Sequence, residues 1–123
     1  MNYLGIDYGE KRVGLAKAES GTKIATPLGT FMNTANLFDQ LVQIVRSESI
    51  DKIVVGLPVS FDGRENRFVR VIRAFAQKLT TLSARPVEFV NEVFSSKIAV
   101  RNSSKVDESS AALILQSFLD GEG

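Results

Sequence analysis

The chain of 123 residues contains neither cysteine nor histidine. Without cysteine it has no disulfide, no thiolate nucleophile and no cysteine-ligated zinc site; the redox compartment stays open, with a reducing one as the default. Without histidine it has no Ser-His-Asp triad and no imidazole-ligated zinc. Any metal must therefore be bound by carboxylates, and all-oxygen sites favour Mg²⁺ or Mn²⁺. Catalysis, if there is any, would depend on acidic side chains and a divalent metal.

Long apolar runs and a strong net charge are also missing. No run reaches membrane length, and no charged-then-apolar leader precedes the first strand. The 15 basic and 14 acidic residues nearly cancel, so net charge alone does not indicate nucleic-acid binding. With 44% apolar and 24% charged residues, the chain has an ordinary globular composition. We expect one domain over residues 1–123, a cytoplasmic location, no membrane partner, and a monomer or weak homodimer.

The hydrophobic pattern predicts a mixed α/β sheet. We predict strands over residues 2–7, 12–18, 23–31, 53–57 and 87–91, and helices from an Asn33 or Thr34 cap to about 48, over 64–82 and over 106–119. The first three strands form an antiparallel meander with a tight turn at Tyr8-Gly9, and Pro27 places the third strand at an edge. The last two strands, joined by a crossover helix, should be parallel. This order predicts five strands with helices on both faces.

Two periodicities indicate which side chains enter the core. Alternation in the first strand places Leu4 and Ile6 on one face and Asp7 on the other, together with Tyr3 and Gly5. In the helix over 64–82, the predicted core stripe consists of Phe68, Val71, Ile72, Phe75 and Leu79.

Three acidic residues stand where these elements begin or end. Asp7 closes the first strand, at the edge where open α/β sheets place ligand sites, or else it only starts a turn. Glu92 follows the fifth strand and would ordinarily be a solvated side chain. Asp107 falls on the inward arc of the last helix, so it either caps that helix or points at a cation. Glu108 lies on the other edge of the arc and is the alternative inward acid.

As a set, the three acids favour one reaction type. Carboxylates can hold two divalent ions about 4 Å apart, which activate water and stabilise the leaving oxygen in phosphodiester hydrolysis. The residues predict this chemistry only together.

Basic residues flank these acids in the sequence. Lys11 and Arg12 follow Asp7, and Arg64, Arg67 and Arg70 lie at the start or on the outer face of the helix over 64–82. Each arginine taken alone is most simply a solvated residue. As a group they favour contacts to the phosphate backbone of a nucleic acid, which carry no sequence information.

Four motifs resemble the YqgF family, the Holliday-junction-resolvase-like proteins also described as nucleases of the small-subunit ribosomal RNA precursor. The motifs are GIDYGEKRVGLA at 5–16, VVGLPVSFDG at 54–63, VEFVNEVFSS at 87–96 and VDESSAALILQSFLD at 106–120. The resemblance covers nearly the whole chain and implies a ribonuclease H-like fold. It also implies Asp7, Glu92 and Asp107 as ligands of Mg²⁺ or Mn²⁺.

The chain departs from the family pattern at two places. The family usually has Asp-Glu-Arg where this chain has Asn91-Glu92-Val93, and the segment before Asp107 is short. One carboxylate and one basic group are therefore lost, while Glu92 is kept.

The leading hypothesis is a nuclease of structured nucleic acid, with ribosomal RNA precursor in a pre-ribosomal particle or branched DNA as substrate. Asp7 would bridge two metal ions, and Glu92 and Asp107 would hold one each. Two alternatives remain. One is a nucleic-acid-binding or ribosome-assembly factor with weak or no catalysis, which Asn91 and Val93 would suit. The other is an actin-like or sugar-kinase ATPase, but such proteins need two lobes around the nucleotide.

Overall fold

The computed structural model describes residues 1–58, 67–91 and 108–122. Within these ranges the elements are β1 (Asn2–Tyr8), β2 (Arg12–Glu19), β3 (Thr26–Met32), α1 (Leu37–Ser47), β4 (Lys52–Leu57), α2 (Arg67–Ser83), β5 (Val87–Asn91) and α3 (Glu108–Glu122). Every predicted strand and helix is present within these ranges, and most bounds that fall within them agree within a few residues. The predicted helix starts at 64 and 106 lie outside the described residues.

The five strands form a mixed sheet in the order β3-β2-β1-β4-β5. The β1–β2 and β2–β3 pairs are antiparallel, whereas β1–β4 and β4–β5 are parallel. The predicted meander and the predicted parallel pair are therefore confirmed. Since β1, β4 and β5 run in the same direction, they end at one edge of the sheet, which we call the carboxyl edge.

The sheet separates two apolar clusters. On one face, Leu4 and Ile6 of β1 pack with buried residues of α1 and α2. On the other, Tyr3 and Val54 pack with α3. We call these the α1/α2 face and the α3 face. The predicted alternation along β1 is confirmed, and helices cover both faces as expected.

Helix α3 approaches the sheet closely at Gly5. A Cβ atom built on Gly5 would lie 2.7 Å from the Cβ of Leu115 and 3.1 Å from the carbonyl oxygen of Ala111. Two residues earlier in β1, the Tyr3 ring meets Phe118 edge-on with centroids 5.5 Å apart. The later residue of β1 therefore contacts the earlier residues of α3. The helix runs antiparallel to β1, and its first turn lies at the carboxyl edge.

Three details differ from the predictions. Val71 is 42% exposed, while Val69 is fully buried, because the buried side of α2 is rotated away from Val71 and includes Val69 and Ala76. Helix α1 starts after Asn36 rather than at a cap on Asn33 or Thr34. Strand β3 starts at Thr26, three residues late, since Lys23 has a left-handed backbone with φ of 55° that interrupts an extended segment.

Strand β3 lies at one end of the sheet, and Pro27 stands within it opposite Ala16 of β2. The pairing of β2 with β3 shifts register between Leu15 and Ala16. An edge position for Pro27 is therefore confirmed. Within the described ranges, none of the helices has the length and apolar character needed to cross a membrane.

Replacing Gly5 by alanine should destabilise the protein, because the added methyl group would collide with Leu115 and force α3 away from β1. We expect a loss of about 1–3 kcal/mol in the free energy of unfolding, measured by urea denaturation. Gly21→Ala is the matched control, since a Cβ atom at Gly21 meets nothing within 4 Å. Equal stability of the two variants would show that the contact at Gly5 does not constrain the helix.

Candidate active site at the carboxyl edge

Asp7 is a buried acidic residue near the end of the central strand β1. Its exposed fraction is 8%, and it lies on the α3 face, one residue before β1 ends. Removing a carboxylate from water is costly unless an opposite charge or hydrogen bonds compensate. Among the described residues, the buried polar side chains are those of Asp7 and Ser110. Ser110 is 9% exposed and lies in the first turn of α3. Both belong to elements whose ends meet at the carboxyl edge.

Glycines surround Asp7 on the α3 face. Gly14 is its antiparallel partner on β2, and Gly5 precedes it by two residues on the same face. The last residues that pair between β1 and β4 are Ile6 and Val55. Asp7 and Gly56 each follow by one residue, so they lie side by side. Because none of these glycines has a side chain, β1, β2 and β4 place no side chain immediately beside the carboxylate on the α3 face. We call this region the glycine clearing.

The first turn of α3 lies over this clearing. Two residues of a strand span about 6.6 Å, the length of about four helical residues. Gly5 meets Leu115 and the Ala111 carbonyl, so the position over Asp7 is about four residues nearer the helix start. The positive end of the helix dipole is therefore directed toward the carboxylate.

On the opposite face, aromatic packing fixes the end of β1. The ring of Tyr8 lies 4.3 Å from the ring of Phe75 and 6.1 Å from that of Phe68, both on α2. Successive residues of a strand point to opposite faces. Anchoring Tyr8 against α2 therefore directs Asp7 to the α3 face.

The turn after β1 is held by Asn33. Its side-chain amide donates a hydrogen bond of 2.8 Å to the carbonyl oxygen of Gly9, and its backbone N–H donates one of 2.9 Å to the carbonyl oxygen of Lys11. Lys11 and Arg12 are exposed. Arg12 shares the α3 face with Gly14, two residues along β2, and so stands on the same face as Asp7.

The other predicted site residues are placed less completely. Glu92, Asp107 and Arg64 lie outside the described residues. Arg67 and Arg70 are exposed on α2, so they belong to the face opposite Asp7. Among the residues that the structure describes, no group of three acids, histidines or cysteines could hold a metal ion.

The sequence reading did not single out Gly14 and Gly56 as part of the site. Both interrupt runs of apolar strand residues, a pattern that often marks the close approach of a ligand or another backbone. That signal was available. The hydrogen bond from Asn33 to the turn could not be recognised from the sequence, because an asparagine before a helix also suits a helix cap.

The chain is similar to known proteins over nearly its full length. The sequence profile of the family described as "RuvX: Holliday junction resolvase" matches residues 1–121. A protein of Anaplasma marginale named "Putative pre-16S rRNA nuclease" is 39% identical over 130 residues, which cover 95% of this chain and 83% of that protein. One of the same name from Nitratidesulfovibrio vulgaris is 35% identical over 133 residues, covering 98% and 94%.

Solved structures resemble the fold at much lower identity. Thermus thermophilus RuvC has a TM-score of 0.64 at 11% identity, covering 99% of this chain and 96% of its own. The fowlpox virus Holliday junction resolvase has a TM-score of 0.52 at 14% identity, covering 98% and 99%. The fold is ribonuclease H-like, as predicted.

Substituting Asn33 by alanine should loosen the turn that carries Lys11, since the hydrogen bond to Gly9 is lost. We expect a loss of about 1 kcal/mol in unfolding free energy and faster hydrogen exchange at the Asn33 amide. The control is Asn36→Ala, because Asn36 precedes α1 without a side-chain capping bond. If both variants behave alike, the side chain of Asn33 does not hold the turn.

Proposed function

Because the chain belongs to the RuvX family of Holliday junction resolvases, we propose that it is a divalent-metal-dependent nuclease of structured nucleic acid. Its substrate is pre-16S ribosomal RNA within a pre-ribosomal particle, or branched DNA. The whole chain, residues 1–123, acts as one ribonuclease H-like domain. The main support is the buried carboxylate of Asp7, which lies beside the glycine clearing at the carboxyl edge.

The chemistry of the available ligands fits Mg²⁺ or Mn²⁺. The chain offers carboxylate and carbonyl oxygens but no imidazole or thiolate, and oxygen donors are those that these ions prefer. A divalent ion would place a favourable positive charge beside the buried Asp7 carboxylate. Because Gly5, Gly14 and Gly56 carry no side chain, the strands themselves place nothing beside the carboxylate that would exclude an ion.

Glu92 would supply a second metal-binding carboxylate at the same edge of the sheet. Strand β5 ends at Asn91, level with Leu57 of β4, and Val90 lies level with Gly56. Val90 packs on the α3 face, so a residue two positions later shares that face if the strand direction continues. We therefore propose that the Glu92 carboxylate reaches the glycine clearing from the β5 side.

Asp107 would supply a third metal-binding carboxylate from the opposite side of the clearing. It immediately precedes α3, whose first turn lies over Asp7. Ala111, Ile114 and Leu115, which share its helical arc, are all buried against the sheet. We propose that Asp107 rather than Glu108 directs its carboxylate inward.

In this arrangement each residue has a distinct role. Asp7 would be shared between two metal ions, with Glu92 and Asp107 each holding one. When bound, the ions supply charge that activates water and stabilises the departing oxygen. Arg12 and Lys11 bind the phosphate oxygens and orient the scissile bond at the carboxyl edge.

Asp7→Asn should abolish metal-dependent cleavage while the protein stays folded. We expect at least a hundredfold loss in the rate of cutting labelled pre-16S rRNA or a four-way DNA junction in Mg²⁺ or Mn²⁺. Wild-type protein should also gain thermal stability when either ion is added, whereas the variant should not. The control Asp39→Asn neutralises an exposed acid in the first turn of α1 and should behave like wild type.

Undiminished cleavage by Asp7→Asn would refute its role. A wild-type protein that binds both nucleic acids with steep salt dependence but cuts neither would identify a binding or assembly factor instead. Assaying the RNA and the DNA substrate side by side shows which of the two nucleic acids is cleaved.

Arg12→Gln should weaken substrate binding more than turnover, because it removes a cation from the face that Asp7 occupies. We expect KM to rise about five- to tenfold, with kcat within about twofold, in steady-state cleavage assays. Lys23→Gln removes an exposed cation at the opposite end of β2 and serves as the control. A fall in kcat alone would place Arg12 in the chemical step rather than in phosphate binding.

A further inference from the structure

Helix α2 carries charge of one sign only. Between Arg67 and Ser83 the sequence has no acidic residue, and its four cations are all exposed: Arg67, Arg70, Arg73 and Lys78. We call the surface bounded by these cations the α2 outer surface. Its charge complements a polyanion.

Aromatic rings position two of these cations. The Lys78 ammonium lies 4.7 Å from the centroid of Phe38 on α1. On the other side of α2, the Arg73 guanidinium lies 5.3 Å from the centroid of Phe89 on β5. Cations held against rings lose less side-chain freedom when they bind a ligand. The two margins of the α2 outer surface are therefore partly preorganised.

A shallow depression lies on α2 between these two margins. Ala74, Gln77 and Thr81 line a shallow cleft of about 440 Å³, which Lys78 and Leu82 complete. Because this cleft is shallow and cations border it, an extended backbone can lie along it with its phosphates, rather than its bases, against the cations.

Two other occupants are disfavoured. The exposed apolar residues Val71 and Leu82 are 11 positions apart, about three helical turns, and the exposed cation Lys78 stands between them, which disfavours an apolar protein partner. A second copy docking symmetrically would place this surface against itself and oppose like charges. A phosphate backbone remains the best match.

The α2 outer surface is separated from Asp7 by the sheet. Tyr8 packs on Phe75 of α2, whereas Asp7 lies on the α3 face. One short straight nucleic-acid helix bound near Asp7 at the carboxyl edge cannot also reach the far side of α2. A substrate in contact with both surfaces must have a second segment that passes around the carboxyl edge, where Arg67 and Arg70 begin the helix.

We propose that the α2 outer surface binds the phosphate backbone of a second substrate segment, remote from the scissile bond. This rests on the proposed nuclease function and extends it, since it assigns binding of a flanking arm to Arg70 and Lys78. The contacts supply affinity and are independent of sequence.

The test compares Arg70→Gln/Lys78→Gln with Lys23→Glu, both made in the Asp7→Asn background. Each lowers the net charge by two, but Lys23 lies near α3, where its carbonyl oxygen accepts a hydrogen bond from Gln116. Binding of a labelled four-way DNA junction and of a two-helix RNA is followed by fluorescence anisotropy in EDTA as salt is raised. We expect the α2 variant to bind about tenfold more weakly, with a salt slope reduced by about 1.5–2. Lys23→Glu should stay within about twofold.

Equal affinities for the two variants would overturn the proposal, as would a wild-type dimer in sedimentation velocity that the α2 variant loses. With Asp7 restored, the α2 variant should keep kcat within about twofold while KM rises. A drop in kcat at saturating substrate would also overturn the remote role. Because binding is measured without metal or cleavage, these outcomes are separate from failure of the nuclease proposal, which Asp7→Asn tests by itself.

Discussion

The contact between α3 and the sheet at Gly5 is the constraint on which the candidate site depends. A side chain at this position would push the helix off the strand, and α3 would no longer set its first turn over Asp7. The packing of Tyr3 on Phe118 fixes the other end of the same helix. The absence of one side chain in β1 therefore determines which part of α3 lies beside a buried carboxylate two residues away.

The sheet could be predicted from the sequence because its signals are local. Alternation assigned Leu4 and Asp7 to opposite faces, and the crossover helix indicated that the last two strands are parallel. The position of Asp7 at the carboxyl edge followed from the strand order. Each of these inferences needs only the spacing of apolar residues and the direction of the strands.

Other details depended on partners that no local pattern specifies. Helical periodicity gives a buried arc but not its centre, so Val71 was wrongly assigned to the core in place of Val69. Asn33 was wrongly taken as a possible cap, because its competing partner, the Gly9 carbonyl, is 24 residues away in the sequence. The placement of Arg67 and Arg70 across the sheet from Asp7 required the packing of α2. Distant contacts decide such choices.

The proline in β3 has a consequence for how copies of this protein meet one another. An outermost strand ordinarily presents a row of unpaired amides that can recruit a strand from a neighbouring molecule. Pro27 provides no amide hydrogen, and the shift in pairing beside it disturbs the regular repeat. Addition of a strand from another copy is thereby disfavoured at that edge of the sheet.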